Sequence, residues 1–336
     1  MSPWRPVPAA SALLLALTLV GGCSGDTAAP SPSPSAPPSS ATPTPTPTPA
    51  PAWPLTGLPA PSAADAATPA LVVKIDNTGS AEPQLGLAAA DLVVEELVEG
   101  GLTRLAALFQ STMPPVAGPV RSVRTTDAGI ALPAGGVLVA SGGAERVLRA
   151  LDEAGVTVLT GGGNGLSRDH SRPEPYNVML DPAEALASLP AGIGVATGPY
   201  LPWGAAPAGQ PVGGADVKFS AARTSSWTWS DGVWVLDRDH AAEADRFGPA
   251  TVLVLRIELR DAGYEDPAGN PVPETVLVGS GAATLLTAGT AVDGTWSKAS
   301  LAAPLTLADA AGAPLHVPPG RVWIELVPPG GGVTLR

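Results

Sequence analysis

Cysteine and charge are both scarce in this 336-residue chain. There is one cysteine, Cys23, and the charged residues Asp, Glu, Lys and Arg together make up 14% of the sequence. A single cysteine excludes an intrachain disulfide framework and a multi-cysteine metal site. The net charge is -12 and no basic stripe interrupts the acidic sequence, which argues against a protein that binds nucleic acid.

The sequence motifs of several large enzyme classes are also missing. The chain contains no G-x-x-x-x-G-K-[ST] phosphate loop, no G-x-S-x-G nucleophile turn and no H-E-x-x-H zinc motif. Its three histidines, His170, His240 and His316, are far apart in dissimilar contexts, so no metal site is predicted. The glycine run at 161–165 is interpreted as a flexible loop rather than a phosphate cradle. These absences leave the reaction and any cofactor unassigned.

The N-terminal region accounts for the one cysteine. An apolar run over residues 13–20 is followed by Gly21, Gly22 and Cys23, an order that resembles the bacterial lipoprotein signal. The alternatives are an ordinary signal peptide or a short transmembrane anchor, but the run is too short to span a bilayer comfortably. We therefore predict a signal peptide over residues 1–22 and lipidation of Cys23. This places the protein on the outer face of the bacterial cytoplasmic membrane, in the cell-wall zone.

Three further regions follow the signal peptide. Residues 23–52 are rich in Pro, Ser and Thr and cannot bury a core, so they are predicted to form a disordered tether. Strand-like and helix-like runs alternate over 53–200, which predicts an α/β domain. Six of the eight tryptophans lie at or beyond Trp203, among short strand-like runs. Residues 201–336 are therefore predicted to form a mostly-β domain, a small barrel or sandwich.

The stretch from 95 to 127 organises the predicted α/β domain. Apolar runs at 92–98 and 105–109 are joined through a Gly-Gly turn, which predicts a β-hairpin. A Gly-Pro break then leads to Arg121 and Arg124. The next residues, Thr125 to Asp127, are good N-cap residues for a helix over 128–132. Arginines beside the start of a helix predict an anion site.

Charged and amide side chains concentrate in the first domain, where charge is otherwise sparse. The predicted ligand-binding residues are Lys74, Asp76, Asn77, Glu95, Glu96, Arg104, Arg121, Arg124, Asp127, Arg168, Arg172 and Asn177. Arginine matches carboxylate and phosphate with its planar fork. One interpretation is a pocket for an anionic or polyhydroxy ligand, with Asp76 or Glu95 as a base or metal ligand. The alternative is a buried ion-pair network that fixes loops over the sheet.

Several of these segments resemble the DUF3048 (YerB-like) family of bacterial lipoproteins, over roughly residues 53–328. The matching segments are 73–77, 95–104, 118–127, 171–173, 278–281, 296–298 and 319–323. The family usually has Pro-His-Asn where this chain has Pro175, Tyr176 and Asn177, so a role that needs that histidine is not carried over. The resemblance implies a two-domain lipoprotein outside the membrane, and it confers no reaction.

The leading hypothesis is a membrane-anchored lipoprotein that binds an anionic or polyhydroxy cell-envelope ligand through the arginine-rich site. One alternative is an envelope phosphoryl or glycan transferase, by loose analogy with the LytR-CpsA-Psr enzymes, which hold a polyprenyl pyrophosphate with arginines and acids after sheet strands. Another is a scaffold whose tryptophan-bearing β domain recruits an envelope protein. The lipid on Cys23 makes the membrane the one defined partner.

Overall fold

A computed structural model describes residues 50–266 and 268–336 of the chain. Cys23, the predicted signal peptide and the predicted tether up to residue 49 lie outside the described residues. Within them, Ala60 N–H donates to Pro51 O at 2.9 Å, so backbone pairing begins at the end of the predicted tether. No helix in the described part is long and apolar enough to cross a membrane.

The described residues form four short helices and nineteen strands. The helices are α1 (Ala63–Ala66), α2 (Asp127–Ala131), α3 (Glu145–Glu153) and α4 (Pro182–Ala187). The strands are β1 (Leu71–Asp76), β2 (Leu92–Leu97), β3 (Thr103–Phe109), β4 (Val137–Val139), β5 (Thr157–Leu159), β6 (Leu166–Arg168), β7 (Val178–Leu180), β8 (Gln210–Pro211), β9 (Gly214–Lys218), β10 (Thr224–Ser230), β11 (Val233–Leu236), β12 (Thr251–Arg256), β13 (Leu259–Glu265), β14 (Pro271–Thr275), β15 (Gly279–Thr287), β16 (Thr290–Lys298), β17 (Thr306–Asp309), β18 (Val322–Val327) and β19 (Gly332–Leu335). Strand content is 38% and helix content 14%, so the fold is mostly β and the α/β prediction is confirmed only in part.

Eleven strands form one large sheet. Their order is β17-β16-β15-β12-β18-β2-β3-β1-β4-β5, with β8 paired to β16. The predicted hairpin is confirmed, because β2 and β3 pair in antiparallel fashion from Leu92↔Leu108 to Leu97↔Thr103. Strand β1 lies between β3 and β4, and all six of its side chains are buried.

Strands of the predicted β domain extend this same sheet. Strand β18 lies between β12 and β2 and runs parallel to both. Every β18 side chain is buried, so this strand needs cover on both faces, whereas a strand of a small separate barrel or sandwich has one face toward solvent. Of the other strands after residue 200, β9, β10, β11 and β19 form a four-stranded sheet, and β13 and β14 form a two-stranded one. The division of the chain at residue 200 stays a prediction.

Different layers cover the two faces of the large sheet. On one face, Ile130 of α2 and Val147 and Leu151 of α3 join the core; we call this the helix face. On the other, Trp227 and Trp234 of the four-stranded sheet join the core; we call this the sheet face. Apolar side chains alternate along β1 and β2 to fill both cores, as a strand buried between two layers requires.

Two helix starts that the sequence predicts have different outcomes. The order Asp181-Pro182-Ala183-Glu184, an N-cap acid followed by an N1 proline, predicts the start of α4, and Asp181 Oδ1 does accept from Ala183 N at 2.9 Å and Glu184 N at 3.1 Å. The prediction that threonine side chains cap α2 is wrong. Thr126 already has helical backbone angles, so its hydroxyl turns away from the helix and accepts the N–H of Thr275 at 3.1 Å.

Candidate functional site

The predicted charged residues of β1, β2 and β3 meet at one end of the large sheet. Asp76 and Glu96 both lie opposite Arg104 in the strand register, and Glu95 lies beside Glu325 of β18. Successive residues of a strand point to opposite faces. The charges therefore divide between the helix face and the sheet face.

On the helix face, Lys74 is enclosed with two acids. Its Nζ contacts Glu96 Oε1 and lies 2.8 Å from Asp127 Oδ1, and the three side chains are at most 1% exposed. The other oxygen of Asp127, Oδ2, accepts the backbone N–H of Arg124 at 2.7 Å. Burial raises the pKa of Glu96, and the nearby Asp127 adds to that rise while Lys74 opposes it.

An arginine cluster, Arg104, Arg121 and Arg124, lies next to this enclosed group. Arg124 holds Glu99 through both oxygens, with Nε at 3.0 Å from Oε2 and Nη2 on Oε1. Arg121 Nε lies 3.1 Å from Asp76 Oδ2. Arg104 Nη1 donates to Ser122 O at 2.9 Å, and its Nη2 is 4.0 Å from Glu99. Two carboxylates therefore face three guanidinium groups.

The electrostatics of the cluster follow from this imbalance. Burial lowers the pKa of Arg104 to about 10, and the charge of Arg124 adds to the shift, with only partial relief from Glu99. For Glu99, burial would raise the pKa, but the hydrogen bond and charge of Arg124 outweigh it and hold the pKa below its usual value. Arg104 is therefore the member of the cluster whose charge is least compensated.

A cavity of about 570 Å³ opens beside the cluster. Arg124, Ser122 and Ser141 form one side of its lining, and Glu265 and Asp266 at the end of β13 form another. Helix α3 begins at the same place, and its N-cap residue Ala144 has no side chain that can cap the first turn. The cavity therefore presents donors and carboxylates together.

The remaining predicted residues lie on the β6–β7 hairpin, where they fix loops. Arg168 Nη1 donates to Asn177 Oδ1 at 2.8 Å. Arg172 donates to Ala81 O at 3.2 Å and Pro83 O at 2.8 Å. Tyr176, which stands where the resembling family usually has histidine, places its ring 5.1 Å from the Arg121 guanidinium. The hairpin thus contacts the arginine cluster through Tyr176 and Arg121. Ligand binding by the predicted residues stays a prediction.

On the sheet face, Glu95 accepts four hydrogen bonds. Its Oε1 accepts from Asn77 Nδ2 at 2.9 Å, Thr103 Oγ1 at 2.7 Å and Arg223 Nε at 2.8 Å, and its Oε2 accepts from Ser225 Oγ at 3.0 Å. The sequence analysis missed Arg223 and Ser225. Arg223 is 128 residues from Glu95, and no local motif distinguishes it from other loop arginines.

Glu325 was also missed, and it lies beside Glu95 on the neighbouring strand. Burial raises the pKa of Glu325 well above its ordinary value, and the charge of Glu95 adds to the rise, although Trp227 Nε1 donates to Oε1 at 2.7 Å. Burial would also raise the pKa of Glu95, but Arg223 outweighs it and the pKa is lowered. The two pKa values therefore move apart, so the charge is favoured on Glu95 and the proton on Glu325. The sequence gives only a weak signal for this pair. That signal is a single acid, Glu325, within the apolar run 322–327.

The arrangement is suited to holding charged or hydroxyl-bearing groups by hydrogen bonds. Among the residues that the structure describes, no group of three or more His, Cys, Asp or Glu side chains is placed to hold a metal ion. The polar groups that the described site presents are guanidinium donors and carboxylate acceptors.

Comparison with known families gives two matches that together span most of the described chain. The family described as "Protein of unknown function (DUF3048) N-terminal domain" matches residues 55–192. The corresponding C-terminal domain family matches residues 215–324. The two matches occur in the same order as the segments of the sequence that carried the resemblance.

One curated relative and one solved structure are similar to the chain. A segment of 71 residues is 49% identical to "Putative lipoprotein YerB" of Bacillus subtilis (strain 168), and it spans only 21% of this chain and 21% of that protein. The crystal structure of the YerB protein from Bacillus subtilis superposes with a TM-score of 0.70 at 21% identity, covering 84% of this chain and 99% of that chain. At this identity the structural likeness shows a shared fold.

Proposed function

The chain belongs to the DUF3048 family, as its sequence motifs predicted, and from this premise we propose a lipid-anchored protein that binds an anionic, hydroxyl-bearing ligand of the cell envelope. The anchor is the lipid on Cys23, which follows an apolar run and two glycines. The similarity to a protein described as a lipoprotein supports the anchor. The protein then acts on the outer face of the cytoplasmic membrane, in the cell-wall zone.

The anchor is tested by replacing its attachment point. Cys23→Ala removes the only thiol in the chain, so the variant should stay unprocessed or leave the membrane fraction for the soluble fraction. Membrane fractionation and mass spectrometry of the N-terminal peptide measure this change. A matched Ser24→Ala variant should fractionate like the wild type. Wild-type behaviour of Cys23→Ala would remove the lipid anchor from the proposal.

The arginine cluster carries the ligand proposal. Arg121 and Arg124 each face a carboxylate, whereas Arg104 has a carbonyl partner and lies 4.0 Å from a carboxylate that Arg124 already holds. Counted with Asp76 and Glu99 alone, the cluster holds one guanidinium charge more than these carboxylates neutralise, and the next acid, Glu96 opposite Arg104, is already paired with Lys74. An added anion would compensate this charge in a partly buried place, where electrostatic attraction is less screened than in water.

The lining of the neighbouring cavity suggests the chemistry of the ligand. Arg124, Ser122 and Ser141 offer donors to an anionic group such as a phosphate or carboxylate. Glu265 and Asp266 would repel a second anion but can accept hydrogen bonds from hydroxyl groups. A ligand with one anionic end and hydroxyl groups fits both sides of the cavity.

Arg104→Met is the variant that separates binding from folding. It strands no closely paired carboxylate but removes the partly buried hydrogen bond to Ser122 O, so we expect the free energy of unfolding to fall by about 1–2 kcal/mol, less than the loss of a paired buried charge would cost. Inorganic phosphate, pyrophosphate and soluble wall fragments should stabilise the wild-type protein in detergent, by about 2.7 kcal/mol at a hundred times Kd. The same probes should stabilise Arg104→Met much less. Thermal unfolding of both proteins measures these differences.

The matched control is Arg149→Met on α3, where the side chain is 63% exposed and forms an i,i+4 pair with Glu145. This variant should respond to the probes like the wild type. If none of the probes stabilises the wild type, or if Arg104→Met responds as the wild type does, the arginine cluster is a structural ion-pair network and the ligand proposal is wrong.

A further inference from the structure

A second cavity, of about 640 Å³, opens on the sheet face of the large sheet. It lies between the end of β1, the start of β3 and the segments that flank β10 and β11. We call it the Arg223 cleft. The polar residues of its lining that matter here are Asn77, Thr103, Arg223, Ser226, Arg238 and His240.

Arg223 is the central residue of this cleft. Its side chain is only 10% exposed, and Nε donates to Glu95 Oε1 at 2.8 Å. Nη2 is buried and has no hydrogen-bond partner among the described residues. Buried N–H groups without an acceptor are rare in folded proteins, so a donor of this kind at a cavity wall points to a ligand.

The two buried acids near Arg223, Glu95 and Glu325, leave some of its N–H donors without a partner. Glu95 is already held by three other donors, Asn77, Thr103 and Ser225, so it does not need the remaining nitrogens of Arg223. Glu325 accepts the indole N–H of Trp227 on Oε1 at 2.7 Å, and within the described residues no hydrogen bond joins it to Arg223. Neither buried acid therefore occupies the Nη1–Nη2 edge of the guanidinium.

The other charged groups in and around the cleft differ in whether they have a partner. Arg238 is exposed, and within the described residues it forms no ion pair or hydrogen bond through its side chain. Asp237 accepts from Thr228 Oγ1 at 3.0 Å and lies 3.6 Å from Arg336. His240 Nδ1 is 2.6 Å from Glu82 Oε1. The acids of the cleft thus have partners of their own, whereas Arg223 and Arg238 keep donors free.

We propose that the Arg223 cleft binds an oxyanion, a carboxylate or phosphate group, on the guanidinium donors of Arg223 that Glu95 leaves without a partner. Two parallel N–H donors in one plane match the two oxygens of such a group. Arg238 supplies the second charge and Ser226 a hydroxyl donor. This inference is independent of the ligand proposed for the arginine cluster, because the two sites lie on opposite faces of the sheet.

Two variants test the cleft in the full-length protein in detergent. Arg223→Lys keeps a positive charge for Glu95 but removes the planar edge. Arg238→Gln removes an exposed charge with no described partner, so it should fold like the wild type. Inorganic phosphate and glucuronate are the probes, one for each oxyanion. Hydrogen exchange of residues 221–226 and 237–240 reports binding locally, and titration of the protection gives Kd.

We expect phosphate, glucuronate or both to protect these segments in the wild type. Kd should rise at least tenfold in Arg223→Lys and several-fold in Arg238→Gln, and it should not change in Arg104→Met. Failure of both probes to protect these segments would overturn the inference, as would a wild-type Kd in Arg223→Lys or Arg238→Gln. Protection that is lost in Arg104→Met instead would place the ligand on the helix face and also overturn it.

Discussion

Glu95 and Glu96 are neighbours in the sequence, and both are fully buried, but their pKa values move in opposite directions. The pKa of Glu95 is lowered because Arg223 outweighs burial, whereas the pKa of Glu96 is raised because burial and Asp127 outweigh Lys74. The alternation of a strand places one on the sheet face and the other on the helix face. The difference shows that the layer covering each face, and not the strand itself, sets the charge state of its acids.

Each face encloses one cation together with two acids. On the helix face one lysine meets two acids, Glu96 and Asp127. On the sheet face one arginine lies among two acids, Glu95 and Glu325. Lysine is a point charge that contacts both acids at once, whereas arginine uses one nitrogen for Glu95 and keeps further donors. The group of Lys74, Glu96 and Asp127 on the helix face, here called the Lys74 group, is therefore enclosed, whereas Arg223 on the sheet face lines a cavity and keeps donors without a partner.

Replacing Lys74 is the test of the Lys74 group with the largest expected effect. Lys74→Met leaves Glu96 and Asp127 buried without their cation, so we expect a loss of about 3–5 kcal/mol in the free energy of unfolding at neutral pH. Urea unfolding measures the loss. The matched Lys218→Met variant, at an exposed position on β9, should stay within about 0.5 kcal/mol of the wild type. A loss below about 1 kcal/mol in Lys74→Met would mean that the two acids do not depend on Lys74.

The pH dependence of stability provides a smaller, sharper test. Glu325 and Glu96 have raised folded-state pKa values, so their stabilising contributions are complete below 4.5 and decline as pH rises toward those folded values. Each group lowers the free energy of unfolding by at most about 1.4 kcal/mol per pH unit in that window. Glu325→Gln replaces a protonated acid with a neutral isostere, so it should flatten this decline.

Glu95 gives the opposite dependence and serves as the control. Its pKa is lowered, so its contribution is present above 4.5 and is lost as pH falls through the folded value. Glu95→Gln should therefore reduce the acid-side loss of stability, and it should only partly weaken the decline above pH 4.5, because the charge of Glu95 is only one of the causes that raise the pKa of Glu325. Urea unfolding from pH 3 to 9 follows all three proteins. If the free energy of unfolding of Glu325→Gln still declined above pH 4.5 as it does in the wild type, Glu325 would not be the acid whose raised pKa causes the decline.

Local patterns predicted the elements that carry the helix-face part of the site. The Gly-Gly turn and its apolar flanks predicted the β2–β3 hairpin, and this hairpin brings Glu96 and Arg104 into register. Asp181 and the following proline predicted the start of α4. The threonine cap of α2 failed because Thr126 has a distant partner, Thr275, that composition near residue 126 does not reveal.

The sequence by itself determined the strand alternation, the turn positions and the concentration of charge near residues 74–127, because these depend on residues a few positions apart. Only the tertiary structure decided which charges meet. Arg223 reaches Glu95 across 128 residues, and β18 reaches β2 through a parallel pairing between the two halves of the chain. Such contacts form when strands that are distant in the sequence bury their apolar faces against each other. The free energy that stabilises them comes from the whole core and not from a few neighbouring residues. For this reason the sequence indicated the residues of the Lys74 group, whereas it did not indicate the Arg223 cleft.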